Sequence, residues 1–259
     1  DFKTLQIIQR PTNIGCADNV VRGVTEVLET CDAVIVLEDD LIVGKYFLQF
    51  MIDCLTLYRS DPRVFHISGF NHFFDDDAAK AYVTRGMNCW GWGTWNDRWL
   101  KLNLDATSHL SFLTDNEAYQ FDFHGTAQFR MQLSENLRNI ISTWAIFWYA
   151  SIFRTRGLCI QPSRPLVKNL GNDGSGERVS ISSSYGEVYN DPIIIFPKNI
   201  VESPTNFIRL KAAFASNDNR IRIYTKRLLM KMPVWLQKMS YKTYNRLARE
   251  FQRWKHILK

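Results

Sequence analysis

The chain lacks any uninterrupted apolar run close to the ~20 residues that a membrane-spanning helix needs. Its N-terminus carries no basic-then-apolar export signal, so we expect any membrane contact to be peripheral. Cysteine is scarce, and the five residues are odd in number and widely spaced. That usage is typical of buried free thiols in a reducing compartment. These absences favour a cytoplasmic protein, and a hydrophobic content of 46% excludes disorder for most of it.

Acidic residues are almost missing from the C-terminal segment. Residues 220–259 carry 12 Lys and Arg against the single acid Glu250, a balance of +11, while the other 20 basic and 25 acidic residues give −5. An acidic body argues against nucleic acid as the main substrate. Apolar and basic residues alternate in the tail, which predicts either a helix at an anionic membrane surface or a helix packed on the body with a solvated basic face.

Hydrophobic periodicity predicts an α/β fold with a mostly parallel sheet flanked by helices and a basic helical C-terminal tail. Ala33–Leu37 is a continuous apolar run typical of a strand buried on both faces, and a helical stripe from Phe47 to Tyr58 separates it from a second strand, Val64–Ser68. The remaining predicted elements are a strand at Leu5–Ile8, helices at Ala17–Glu29, Thr126–Arg138 and Ser142–Arg154, and a long loop at Asn169–Ser184.

Three adjacent carboxylates, Glu38, Asp39 and Asp40, follow the first of these strands. Open α/β sheets bind ligands beyond the C-terminal ends of their strands. Adjacent carboxylates repel one another, and a divalent cation compensates that cost. Mg²⁺ and Mn²⁺ prefer oxygen ligands and are often held by one or two carboxylates together with substrate phosphates. The alternative is a solvated acidic turn that caps the next helix.

The segment VIVLEDDLIVGKYFLQFM resembles the metal-site segment of GT-A glycosyltransferases of the N-acetylglucosaminyltransferase I type. The ordered set of motifs is similar to bacterial sugar transferases of surface-polysaccharide pathways. Those motifs are RPTNIG (Arg10–Gly15), DPRVFHISGF (Asp61–Phe70), CWGWGTWNDRW (Cys89–Trp99), STWAIFWYA (Ser142–Ala150) and LVKNLGNDGSG (Leu166–Gly176). The resemblance implies a GT-A Rossmann-like domain over residues 1–200, followed by the basic tail, residues 201–259.

The resemblance also implies roles for single residues. Asp40 would coordinate Mn²⁺ or Mg²⁺, and Glu38 and Asp39 would contact the ribose or sugar of a nucleotide-sugar donor. Gly91, Trp92 and Gly93 would form a close-packed wall near the sugar, although core packing is the alternative for several of the tryptophans in this cluster. The loop that closes over the donor phosphates would contain Asn172, Asp173, Gly174 and Ser175.

Two features depart from the family pattern. Related inverting enzymes carry a general-base Asp where this chain has Ser142, and a serine hydroxyl needs an activating partner for that work. Asp173 and Glu135 are the candidate replacements, although for Glu135 a solvated helix residue is the favoured interpretation. The chain also reaches the acidic triplet early, which indicates either a fragment without the first strand–helix unit or a protein without full donor binding.

The expected activity is inverting transfer of a sugar, such as N-acetylglucosamine, to a surface-glycan or lipid-linked acceptor. A catalytically silent module that binds a glycan or a partner transferase is the alternative, and nucleic-acid binding by the tail is a third. His66 and the acidic run Asp75–Asp77 match no metal-ligand spacing, so we expect a hydrogen-bonded strand histidine and a solvated loop there.

Overall fold

The computed structural model describes residues 3–73, 77–171, 188–217, 228–243 and 246. Short strands and helices alternate along this part of the chain. The helices are α1 (Cys16–Leu28), α2 (Phe47–Leu57), α3 (Asn96–Trp99), α4 (Ala106–Phe112), α5 (Asp115–Phe121), α6 (Phe129–Leu137), α7 (Ala145–Arg154) and α8 (Pro204–Asn217). The strands are β1 (Ala33–Val36), β2 (Leu41–Val43), β3 (Val64–Ser68), β4 (Ala81–Thr84), β5 (Trp92–Trp95), β6 (Leu158–Pro162) and β7 (Val167–Asn169).

The main sheet has five strands in the order β1-β5-β3-β6-β4 and mixes parallel with antiparallel pairs. Only β3 and β6 pair in parallel, whereas β5 is antiparallel to both β1 and β3, and β4 is antiparallel to β6. The predicted mostly parallel sheet is therefore wrong. Strands β1 and β3 do run in the same direction, as the helix between them requires, but β5 is inserted between them.

Strand β1 is less buried than its apolar sequence predicts. It stands at one end of the strand order, and all four of its residues are only partly buried. The expectation of a strand buried on both faces is wrong, because a strand at the end of the order has a neighbour on one side only. Residues Leu5–Ile8 also differ from the prediction: they form no strand, and Leu5 and Ile7 are 86% and 84% exposed.

Helices cover both faces of the sheet, as predicted. On one face α2 buries Phe47, Phe50 and Met51 against a core that includes Ile67 and Trp95. On the other face α1 and α7 pack around a tryptophan-rich cluster of Trp92, Trp99, Trp144 and Trp148. The predicted helices over residues 17–29, 47–58, 126–138 and 142–154 are confirmed with slightly shorter bounds, and so is strand β3.

The chain beyond residue 200 continues to pack on the body. Leu210 of α8 is fully buried in a cluster with Phe123 and Tyr149, and Arg85 forms an ion pair with Glu202 at 2.7 Å. A boundary between residues 200 and 201 stays a prediction. Within the described part of the chain, no helix combines the length and apolarity needed to cross a bilayer.

All five cysteines are free thiols. Cys54 and Cys159 are buried, as predicted, and Cys89 is partly buried. Cys16 and Cys31 are exposed, so the expectation of burial is wrong for these two, which lie at the start of α1 and just beyond its end.

Candidate functional site

The acidic triplet lies in the turn between β1 and β2, at the C-terminal end of β1 as predicted. The backbone N–H of Leu41 donates to the Glu38 carbonyl at 3.3 Å and closes this turn. Asp39 is exposed, whereas Glu38 and Asp40 are partly buried. The turn thus presents one carboxylate to solvent and directs the chain into β2.

Asp40 is held by a segment far away in the sequence. Strand β2 pairs with β7, and Leu41 is opposite Asn169. The Asn169 side-chain amide donates to Asp40 Oδ2 at 3.0 Å, and the Leu170 N–H donates to the Asp40 carbonyl at 2.8 Å. The pairing of β2 with β7 therefore sets the position of the Asp40 carboxylate.

The second carboxylate oxygen of Asp40 has no such partner. Asp40 Oδ1 is buried and accepts no hydrogen bond from the described residues. Leaving a buried acceptor unsatisfied costs about 1–3 kcal/mol, and more for a charged group. A bound cation is a ligand that would satisfy this oxygen, so the donor chemistry at Asp40 fits a hard divalent metal.

Gly171 allows the backbone after β7 to approach Asp40 closely. A β-carbon at this position would overlap Asp40 Oδ2 and lie 3.3 Å from Asp40 Cγ. The Gly171 N–H also donates to Asn169 Oδ1 at 2.7 Å, which orients the Asn169 amide toward Asp40. Asn169 and Gly171 belong to the motif LVKNLGNDGSG, but no role was predicted for either residue; the available signal was their position just before the predicted donor-binding residues.

Residues 172–187 lie outside the described residues, and with them Asn172, Asp173, Gly174 and Ser175. The last described residue before this range is Gly171, which lies beside Asp40. It returns at Val188, whose side chain lies 2.8 Å from where a β-carbon of Gly44 would be. Nearby, the Lys45 N–H donates to Asn190 Oδ1 at 3.0 Å. Gly171 therefore lies beside Asp40, the residue before β2, and Val188 lies beside Gly44, the residue after it.

The predicted wall at Gly91, Trp92 and Gly93 is part of the sheet. Gly91 has a positive φ of 59°, and a β-carbon there would lie 2.8 Å from both a Phe47 ring carbon and a Val167 methyl group. In β5, a β-carbon on Gly93 would lie 2.9 Å from the Val34 carbonyl oxygen. Glycine at these positions permits close packing of strand, helix and β7.

Trp92 lies in the core rather than on the surface. Its side chain is 0% exposed and stacks on Trp144 and His66 with ring centroids 5.1 and 5.4 Å apart. Core packing of Trp92, Trp95 and Trp99, the alternative considered for this cluster, is confirmed. Contact of Trp92 or Gly93 with a donor sugar stays a prediction.

His66 forms hydrogen bonds with both ring nitrogens. Trp148 Nε1 donates to His66 Nδ1 at 3.1 Å, and in that tautomer His66 Nε2 donates to the Asn88 carbonyl at 2.8 Å. Burial lowers the pKa of His66 to about 4, so the ring is neutral near pH 7. The expectation of a hydrogen-bonded strand histidine is confirmed.

In the acidic run, Asp77 pairs with Lys80 at 2.6 Å, while Asp75 and Asp76 fall outside the described residues.

Ser142 lies three residues before α7 and is exposed. The next residue, Thr143, exchanges two hydrogen bonds with the Asn136 side chain, at 3.0 and 3.1 Å. Trp144 then stacks on Trp92, whose β-sheet partner is Val36, two residues before the acidic triplet. These contacts link the residues just before α7 to strand β5, which pairs with β1.

Glu135 is not a solvated helix residue. It is only 6% exposed, because α6 packs between α4 and α7 and turns this position inward. The expectation of a solvent-facing side chain is therefore wrong.

A different cavity, of about 610 Å³, lies near the opposite edge of the sheet, where β6 begins and β4 ends. Two of its arginines already have partners, since Arg85 pairs with Glu202 and Arg154 donates to Ser108 Oγ at 2.7 Å. Across the ranges that the structure covers, no three His, Cys, Asp or Glu side chains converge as a ready-made metal cluster. The role of Asp40 as a cation ligand stays a prediction.

The sequence matches no protein-family profile and no curated protein.

Proposed function

We propose that the protein is a metal-dependent glycosyltransferase with a GT-A Rossmann-like domain. It transfers a sugar, N-acetylglucosamine in our preferred version, from a nucleotide donor to a surface-glycan or lipid-linked acceptor, with inversion. The observation that carries the proposal is the buried Asp40 Oδ1 at the C-terminal end of β1, for which the described part of the chain supplies no hydrogen-bond donor. The mixed α/β sheet with helices on both faces is consistent with this class.

Asp40 would hold Mn²⁺ or Mg²⁺ through Oδ1, while Asn169 keeps the carboxylate oriented through Oδ2. One protein carboxylate is enough when phosphate oxygens of the substrate complete the ligand set. When bound, the cation would stabilise the negative charge on the departing diphosphate. Glu38 and Asp39 are the proposed contacts to the ribose or sugar of the donor.

The proposed general base is Asp173. It follows Gly171 by two residues, a distance that an extended chain spans in about 7 Å at most, and Gly171 touches Asp40. Asp173 would take the proton of the acceptor hydroxyl during attack. Ser142 occupies the family position of the base and would instead orient the acceptor hydroxyl. Asp173→Asn is expected to abolish transfer, whereas Ser142→Ala is expected to reduce it only in part.

A catalytically silent module that binds a glycan or a partner transferase is the second candidate. The observation favouring it is that Ser142, at the family position of the base and three residues before α7, carries no carboxylate to serve as a base. We place the protein in the cytoplasm, peripheral on the inner face of the membrane, where a lipid-linked acceptor is found.

Calorimetry with Mn²⁺ and UDP-N-acetylglucosamine tests the metal site, and hydrolysis of that donor tests the chemistry. Asp40→Asn is expected to lower Mn²⁺ affinity at least tenfold and to abolish hydrolysis. The matched control is Asp53→Asn on the neighbouring helix α2, where the new amide oxygen can still accept from Gln49. If the wild-type protein binds neither Mn²⁺ nor the sugar nucleotide, the enzymatic proposal fails. Donor binding without hydrolysis or transfer favours the silent module.

A further inference from the structure

The C-terminal helical segment, residues 234–243, turns large apolar side chains toward solvent. Trp235 is 66% exposed, Met239 54% and Val234 41%. Just before this segment, Met232 and Leu228 are each 42% exposed. An exposed apolar patch of this kind marks an interaction surface more often than an isolated apolar residue does.

The opposite side of the segment packs on the rest of the protein. This packing determines which side of the segment faces solvent. Gln237 is 4% exposed, and its amide donates to the Met232 carbonyl at 2.6 Å. The Arg138 guanidinium of the body donates to the Met230 carbonyl at 2.8 Å. Leu236 is partly buried on the attached side. The exposure of Trp235 and Met239 thus follows from how residues 228–243 pack.

Cations lie among these exposed apolar residues. Lys238 and Lys242 are exposed, and at 100° per residue they project from the same half of the helix as Trp235 and Met239. Arg246 extends the same face and is also exposed. No acidic residue occurs in the sequence from 228 to 246, so this stretch of the chain carries a net positive charge.

We propose that this surface, formed by Val234, Trp235, Lys238, Met239, Lys242 and Arg246, docks on an anionic lipid bilayer. An interfacial helix needs apolar and aromatic side chains that enter the headgroup–acyl boundary, together with cations that meet the lipid phosphates and carboxylates. Both kinds of group lie on one face here. The helix lies flat on the membrane, with Trp235 and Met239 inserted and the attached side toward the body.

Charge complementarity favours a lipid over a nucleic acid as the occupant. Phosphate binding to a nucleic-acid backbone requires only the cations, and it does not account for a half-exposed methionine and a two-thirds-exposed tryptophan between the lysines. Tryptophan has an apolar ring with a polar N–H and is therefore suited to the membrane–water boundary.

The test measures sedimentation of the full-length protein with vesicles of phosphatidylcholine, with and without 30% phosphatidylserine. Removing one cation from such a surface is expected to lower partitioning about fivefold, equivalent to about 1 kcal/mol. Lys238→Gln with Lys242→Gln should therefore weaken binding about 25-fold, and Trp235→Ala with Met239→Ala at least tenfold. The matched control is Leu100→Ala with Lys101→Gln, an exposed apolar–basic pair on the body, and we expect it to bind like the wild type.

Brominated lipids identify the inserted residue, because bromine quenches the fluorescence of nearby tryptophans. Vesicle-dependent quenching is expected for the wild type and is expected to be largely lost in Trp235→Phe. Equal quenching of the two proteins overturns the proposal, and so does equal binding to neutral and anionic vesicles. Binding to a 20-base-pair duplex that depends on the two lysines and not on Trp235, without vesicle binding, overturns it in favour of a nucleic acid. Donor hydrolysis in solution is expected to be unchanged in every variant, so failure of lipid docking is distinct from failure of the proposed activity.

Discussion

Gly171 is the position where one added methyl group tests the geometry around Asp40. A β-carbon on this glycine overlaps Asp40 Oδ2 and lies 3.2 Å from Asn169 Oδ1. We therefore expect Gly171→Ala to push the Asp40 carboxylate out of place without changing any charge in the protein.

The expected loss follows from the contacts that the methyl group breaks. Displacing the carboxylate breaks its 3.0 Å bond from Asn169, and a hydrogen bond to a charged group contributes about 1.5–3 kcal/mol. Replacing glycine restricts the unfolded chain and offsets about 0.4–1 kcal/mol of this. The net fall in unfolding free energy is about 1–2 kcal/mol, which corresponds to a Tm lower by about 2–8 °C for a chain of this size.

Calorimetry on the same variant is expected to show Mn²⁺ affinity lower by about 10–100-fold, the usual effect of disturbing a residue that orients a metal ligand. Gly23→Ala is the matched control, because a β-carbon at Gly23 meets nothing within 4 Å. Gly23 lies inside helix α1, where alanine is expected to stabilise by about 0.5–1 kcal/mol.

A double-mutant cycle with Asp40→Ala tests whether the methyl group of Gly171→Ala clashes with the Asp40 carboxylate. Once the carboxylate is removed, Gly171→Ala has nothing to displace, so its cost is expected to fall to within about 0.5 kcal/mol of zero. An additive cycle, or a Gly171→Ala protein with wild-type Tm and Mn²⁺ affinity, refutes the inferred contact between the two residues.

Three further predictions concern the core and the thiols. Burial lowers the pKa of His66 to about 4, below about 6.5 for the unfolded chain, so the unfolded state binds this proton more readily. The contribution of neutral His66 to the unfolding free energy is complete above about pH 6.5 and falls by about 3 kcal/mol as the pH drops through 4. On going from about pH 6.5 to about pH 4.5, His66→Gln should therefore lose less unfolding free energy in urea than the wild type does. An equal loss in the two proteins contradicts the assignment. Gly91→Ala forces a methyl group against Phe47 and should lower the unfolding free energy by about 1–3 kcal/mol in the same assay, whereas an unchanged midpoint contradicts that packing. Cys16 and Cys31 should react with a disulfide reagent in the folded protein, and the two buried cysteines, whose thiol pKa is raised by burial, only after unfolding; rapid modification of a buried thiol contradicts this.

The elements that the sequence predicts well are those with a regular apolar pattern. Helix α2 and strands β1 and β3 follow from residue spacing alone, because each has a regular or continuous apolar pattern. Strand β5 was not predicted, since its sequence WGTW places two small residues between tryptophans and lacks a clear apolar period. Its insertion between β1 and β3 is a tertiary pairing, and that pairing makes the sheet mixed.

Burial likewise depended on neighbours that are distant in sequence. Glu135 is a residue type typical of a helix surface, but it is buried, because α6 packs against α4, α5 and α7. Leu5 and Ile7 are apolar residues typical of a strand, but they lie in no strand and are exposed. A strand requires hydrogen-bond partners on another segment, and no local pattern supplies them.

The sequence by itself determined that three carboxylates end an apolar strand, that the body is acidic and that the tail is basic. These properties follow from the order of residues along the chain. Only the tertiary structure decided the surroundings of each carboxylate, because the pairing of β2 with β7 brings Asn169 to Asp40 across 129 positions and leaves Asp40 Oδ1 buried with no donor among the described residues. It also decided which side of the tail faces out, since Gln237 is buried and the Arg138 guanidinium of the body binds the Met230 carbonyl.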